Sequence, residues 1–199
     1  MRKIEENKKK KQDALLNTAY HLFTKKGFQK TSISDIVSEA GVAKGTFYLY
    51  FKDKTDIRYK LIAFKASLIF RKAYNNLQKQ DIVAYEDQII YLVDQIINEL
   101  IKDPTLLKLI SKHLGWGIFK NALIEPIDNA QENIYEIYMK LLEDSGHEFR
   151  EPEVMIYMII ELVGGCCYNS ILMQQPKPID QLKPYLYESI RLILKNHQI

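Results

Sequence analysis

Apolar residues fall into a helical rhythm from the start of the chain. Between residues 11 and 26 they stand at Ala14, Leu15, Ala19, Leu22 and Phe23, with Thr18 on the same face, and the stripe stops at Lys25-Lys26-Gly27. Phe28 follows as a hydrophobic plug. Thr31-Ser32-Ile33-Ser34-Asp35 then offers a hydroxyl N-cap with an acid three positions after Ser32, so a second, short helix is predicted, with Ile33, Ile36, Val37 and Ala40 inward. Gly41 supplies a residue able to take the left-handed conformation that closes it. Val42 points back to the core and the chain restarts as a helix around Lys44, leaving a turn of about three residues. This is helix-turn-helix spacing. Phe47 and Phe51, four apart, face inward, which leaves Lys44, Thr46, Tyr48, Leu49 and Tyr50 outward or on the flank. Gly45 has no side chain, so the start of this helix can lie close against another surface.

Longer helices follow. Ile57, Leu61, Phe64 and Leu68, with Asp53 as a cap, predict a connecting helix from residue 54 to about 80, and further helices are expected over 86–102, 105–113, 118–143, 152–174 and 180–196. Residues 154–173 are apolar on nearly every face, and Gly164-Gly165-Cys166 permits close approach of another backbone. Leu182, Leu186, Ile190, Ile193 and Leu194 form a stripe on the last helix that would suit a two-fold partner, so these two helices are expected to make a four-helix contact between two copies. The fold class is all-α. A three-helix helix-turn-helix head over residues 1–54 precedes a larger helical effector-binding and dimerisation domain over 55–199, in which 55–80 is the connecting helix.

Composition supports this reading and narrows it. Only 8 Gly and 6 Pro in 199 residues, with 47% hydrophobic content, favour helices around a full core over a many-turned sandwich. The opening MRKIEENKKKKQD is charged where a secretory signal would be apolar, and Glu161, Asn169 and Ser170 interrupt the most apolar segment. A cytoplasmic protein with no membrane partner is expected. Cys166 and Cys167 are sequence neighbours and cannot form an ordinary unstrained disulfide; on an apolar helix they read as buried, inert thiols. Phosphate-binding, GxSxG and HExxH motifs are missing from the sequence, and His21, His113, His147 and His197 are scattered. Catalysis is not expected, nor is a metal or cofactor.

Charge is distributed unevenly. Residues 1–60 hold 14 Lys+Arg against 7 Asp+Glu, a net +7, whereas residues 61–199 hold 14 against 18, a net −4. A basic first third suits an anionic polymer. Lys44, Lys52 and Lys54 surround the restarted helix with positive charge, the hydroxyls of Tyr48 and Tyr50 can reach phosphates while their rings pack, and Lys44 and Thr46 can touch base edges in a major groove. The same basic end could instead rest on an anionic membrane surface, as part of a helical dimeric interaction module. That alternative leaves the coincidence of turn glycine, helix cap and tyrosines unexplained.

The segment from about Asp13 to Leu61, and within it TSISDIVSEAGVAKGTFYLYFKDKTDI, resembles the DNA-binding domain of the TetR family of bacterial transcriptional regulators. The resemblance covers about a quarter of the chain. It implies a three-helix DNA-binding head, a fourth helix linking it to a helical ligand domain, and a homodimer that regulates promoters, most simply as a repressor released from a palindromic operator by a small molecule. By position it implies phosphate contacts from Thr31 and Ser32 and a leading recognition turn at Lys44, Gly45 and Thr46. Aromatic contacts would come from Tyr48 and Tyr50, and a phosphate clamp from Lys54. The chain departs from the family pattern at Ala43, where a serine cap is common, and at Leu49, which can offer only apolar contact such as to a thymine methyl.

An effector cavity for an apolar or cationic small molecule is expected from rings and thioethers at Trp116, Phe119, Tyr135, Tyr138, Met155, Tyr157 and Met158, with Met139 and Cys167 beside them. Glu161, an acid in a very apolar helix, is expensive to bury unless paired and would meet a cationic effector or a tyrosine hydroxyl.

Overall fold

The computed structural model describes residues 2–111 and 133–199. Nine α-helices and one π-helical segment are present among them, with no strand beyond an isolated bridge between Phe149 and Gln198. The chain divides into two compact units, Met1–Lys65 and Ala66–Ile199.

The first unit contains α1 (Arg2–Lys25), α2 (Ile33–Glu39), α3 (Lys44–Tyr48) and the start of α4 (Lys54–Leu77). Helix α1 begins twelve residues before the first residue of the apolar stripe, Ala14: residues 2–13 hold no Gly or Pro, and Glu6 stands four positions before Lys10, the favourable order for a helix pair. Leu15, Ala19 and Leu22 of α1, Ile36 of α2, Phe47 of α3 and Ile57 of α4 are all essentially inaccessible to solvent. Each large apolar side chain so buried contributes about 1.5–3 kcal/mol relative to exposure. Phe28 fills the predicted plug position, its ring 5.2 Å from that of Phe23 in an edge-on arrangement. Asp53 caps α4 as expected, its Oδ1 accepting from the backbone N–H groups of Thr55 and Asp56 at 2.7 and 2.8 Å.

The second unit contains the remainder of α4, then α5 (Tyr85–Lys102), α6 (Pro104–Ser111), α7 (Ile134–Glu143), α8 (Pro152–Cys167), the π-helical segment Tyr168–Met173 and α9 (Ile179–His197). Its core joins Ile97 of α5, Ile137 of α7, Met155 and Ile159 of α8, and Ile190 of α9. Polar bonds fix α5 to α9. Lys183 Nζ donates to Asp94 Oδ1 at 2.7 Å and to Asn98 Oδ1 at 2.8 Å, and Tyr187 donates its hydroxyl proton to the same Asp94 oxygen. Burial alone would raise the Asp94 carboxyl, but the hydrogen bonds from Lys183 and Tyr187 and the lysine charge outweigh it and hold it below the ordinary carboxylate value.

One expectation changes here. Leu186, Ile190 and Leu194 of α9 are buried in their own protomer's core and are not offered to a second copy. The apolar residues that α9 does expose are Tyr185 and Leu192, at 61% and 62%. Pro152–Met173 is long and apolar enough by composition to cross a membrane, yet Met155, Ile159, Cys167 and Ser170 on it are buried inside the second unit.

Candidate nucleic-acid interface and ligand cavity

The turn of the helix-turn-helix is built by short-range bonds. Ser32 and Asp35 form a reciprocal capping box: the Asp35 N–H donates to Ser32 Oγ at 3.1 Å, and the Ser32 N–H donates to Asp35 Oδ2 at 2.8 Å. The Ser32 backbone bond first, then its hydroxyl, hold the Asp35 carboxyl below its ordinary value. After α2, Gly41 sits at φ +67°, a conformation that opposes any Cβ. The Val42 N–H then donates to Val37 O at 3.0 Å, folding the turn back onto α2.

Helix α3 is anchored by Phe47, which is fully buried, 5.4 Å from the Phe51 ring and edge-on to Tyr48. That anchor sets the outward face. Lys44 and Gly45 are exposed, Thr46 and Tyr50 are half-buried on the flank, and Tyr48 and Leu49 are 53% and 79% exposed. Ala43 gives α3 no side-chain cap, so its start is held only by backbone, including the Thr46 N–H to Ala43 O at 2.9 Å. Leu49 lies just past the helix as its C-cap.

Three residues expected at phosphates are already engaged. Thr31 is buried, its Oγ1 donating to Gly27 O at 2.9 Å, so its hydroxyl faces the protein interior and not an outside phosphate. Ser32 is exposed, but its hydroxyl donates to Asp35 Oδ2 at 2.7 Å. Lys54 Nζ donates to Phe28 O at 2.9 Å and stands 4.4 Å from the centre of the Phe28 ring, which on its other contacts meets the Arg58 guanidinium at 4.1 Å. Lys60 similarly ties to Tyr50 O at 3.0 Å. Lys44 and Lys52 remain exposed to solvent.

The second unit holds a cavity of about 420 Å³. Its walls come from Ala66, Ile69 and Phe70 of α4, Ile96 of α5, Ile110 of α6, Ile134 of α7, Ile159–Glu161 and Val163–Gly165 of α8, and Tyr168 and Asn169 of the π-helical segment. Of the expected lining residues that the structure describes, Glu161 alone belongs to it. Tyr138 and Met155 are buried core, with the Tyr138 hydroxyl donating to Pro152 O at 3.0 Å, and burial raises that hydroxyl's pKa. Tyr135 and Met139 are half-buried against the same core, and Tyr157 and Met158 are exposed. Trp116 and Phe119 lie outside the described residues. Glu161 itself is exposed, so the expected burial cost does not arise. The lining missed by the sequence is largely isoleucine, valine and leucine, which carry no chemical signal of a cavity. Cys167 is also core, and burial pushes its thiol up to about 12.

A helix-turn-helix head joined through a long helix to an α-helical unit defines a class of bacterial regulators. Residues 15–58 match the model of bacterial regulatory proteins of the tetR family. Among curated proteins, the HTH-type transcriptional regulator YdgC of Bacillus subtilis is 32% identical over 160 residues, covering 79% of this chain and 75% of YdgC. YuxN of the same organism is 31% identical over 91 residues, 45% of this chain but 31% of its own length. The fold is shared with the Bacillus subtilis transcriptional regulator FadR in complex with stearoyl-CoA, at TM-score 0.59 and 17% identity over 89% of this chain and 96% of that one. The chain belongs to the TetR family. Membership displaces the membrane-surface module, and the family consists of regulators, not enzymes.

Proposed function

We propose that the protein acts as a homodimeric repressor that places two copies of α3 in successive major grooves of a palindromic operator, about 34 Å apart, and leaves when a small, largely apolar effector fills the cavity. The observation that carries this reading is the reach of α4. One continuous helix contributes Ile57 and Leu61 to the buried residues of the head unit and Ala66, Ile69 and Phe70 to the cavity wall. An effector that prefers a different placement of α4 lowers DNA affinity through its differential binding to the two states. That FadR, which shares this fold, is in complex with stearoyl-CoA supports a small-molecule effector for this chain. In the dimer, the exposed Val154, Tyr157 and Met158 of α8 meet their counterparts together with Tyr185 and Leu192 of α9, apolar area that otherwise stays in water.

In the DNA complex Lys44, Gly45 and Thr46 form the leading contact turn, Tyr48 and Tyr50 reach the backbone, and Leu49 offers its apolar tip to a thymine methyl. Fluorescence anisotropy on DNA from immediately upstream of the gene, against scrambled DNA at several salt concentrations, tests the reading. Specific binding that weakens steeply with salt is expected, with Lys44→Ala reducing the salt slope by about one contact. Equal affinity for both DNAs, or a monomer in sedimentation at micromolar concentration, contradicts the model.

A further inference from the structure

Helix α3 is held in ways that differ in kind along its length. Phe47 within it and Phe51 just after it are buried with their rings 5.4 Å apart, and apolar contacts of this sort are non-directional. At its entrance the chain is tied to α2 by the Val42 N–H to Val37 O, while Ala43 adds no side-chain bond. At its exit the two main-chain groups that flank Phe51 are taken by side chains of α4. Lys60 Nζ donates to Tyr50 O at 3.0 Å, and the Lys52 N–H donates to Asp56 Oδ2 at 2.8 Å. Asp56 and Lys60 stand four apart on α4, half-buried, with their charged groups 3.6 Å from each other. Each steadies the other's hold. Hydrogen bonds have a preferred direction where apolar contacts have none, so these ties set the rotation of α3 about its phenylalanine anchors. That rotation decides where the exposed Tyr48 and Leu49 and the flanking Tyr50 point.

We infer that Asp56 and Lys60 are positioning residues for DNA recognition: together they clamp the exit of α3 to α4 and aim Tyr48, Leu49 and Tyr50, without touching DNA themselves. This deepens the proposed function and rests on its reading of α3 as the recognition helix. Charge alone disfavours an acid at this place. Beside a surface that meets phosphates, the Asp56 carboxylate lowers affinity for every sequence. Its contribution is to geometry, and hence to the difference between one sequence and another.

The test starts from the operator that the full-length wild-type protein enriches from a randomised duplex library. Fluorescence anisotropy at several salt concentrations then compares affinity for that operator with affinity for a scrambled duplex. The ratio of the two cancels both the charge effect and any general loosening of the head. Asp56→Ala is expected to lower the ratio about ten-fold, the loss of one hydrogen bond to a charged acceptor, while affinity for scrambled DNA holds or rises. Asp56→Asn removes the same charge but keeps an acceptor for the Lys52 N–H, and should hold the ratio within about two-fold of wild type. Lys60→Met should lower the ratio about ten-fold and leave the salt slope unchanged. Equal ratios in Asp56→Ala and Asp56→Asn, or a salt slope reduced by about one contact in Lys60→Met, overturn the positioning role and leave the regulator reading in place. If the wild-type protein enriches no sequence, both fall.

Discussion

Replacing Lys54 with methionine separates two roles for the same side chain. In the structure its ammonium donates to the Phe28 carbonyl at 2.9 Å and lies over the Phe28 ring at 4.4 Å, bracing the loop between α1 and α2 against the start of α4. Methionine keeps most of the aliphatic volume and removes both interactions. The lost hydrogen bond from a charged donor costs about 1.5–2 kcal/mol and the cation–π contact about 0.5–1 kcal/mol. Removing a positive charge from the first turn of a helix returns about 0.3–0.5 kcal/mol. The net expectation is a local destabilisation of about 1.5–2.5 kcal/mol. Amide exchange reads this directly, because the Thr31 N–H donates to the same Phe28 carbonyl at 3.3 Å. Exchange across residues 28–33 should accelerate about ten- to seventy-fold in the free protein under conditions where opening is at equilibrium. Lys44→Ala, at an exposed position without such a tie, should leave that exchange unchanged. Unaltered protection in Lys54→Met would refute the bracing role and return Lys54 to the position of a free phosphate clamp.

Other consequences are equally direct. Gly41→Ala forces a Cβ into the left-handed region at φ +67° and should destabilise the head by about 1–2 kcal/mol, measured by denaturant unfolding, with a matching loss of DNA affinity. The folded-state depression of the Asp94 carboxyl means that its stabilising contribution is present above the unfolded-state value and is lost as pH falls through the lower folded value. Stability measured below about pH 4 should therefore decline less steeply in Asp94→Asn than in the wild type. Because burial pushes the Cys167 thiol up to about 12, mild peroxide or iodoacetamide at pH 7 should leave Cys167 unmodified in the native protein and DNA binding intact, and modify it only on unfolding.

The head was legible in the sequence because its signals are local. A capping pair three residues apart, a glycine that can turn left-handed, and two phenylalanines four apart specify α2, the turn and α3 within twenty residues, and the structure keeps each of them. Periodicity also located the later helices, since an apolar face must be buried by something. It does not say by what. The α9 stripe was equally consistent with a second copy and with the protomer's own core, and only the packing of α5 and α8 against it decided for the core. Thr31 and Lys54 looked like outward hydroxyl and cation, yet Gly27 O four residues back claimed the first, and Phe28 O, brought near Lys54 by the fold across 26 positions, claimed the second. The cavity is the extreme case. Its wall draws on five helices and a π-helical segment, and its isoleucines are chemically indistinguishable from core isoleucines. Sequence fixes which residues share a face of one helix; whether that face meets another helix, empty space or water depends on where distant parts of the chain come to rest.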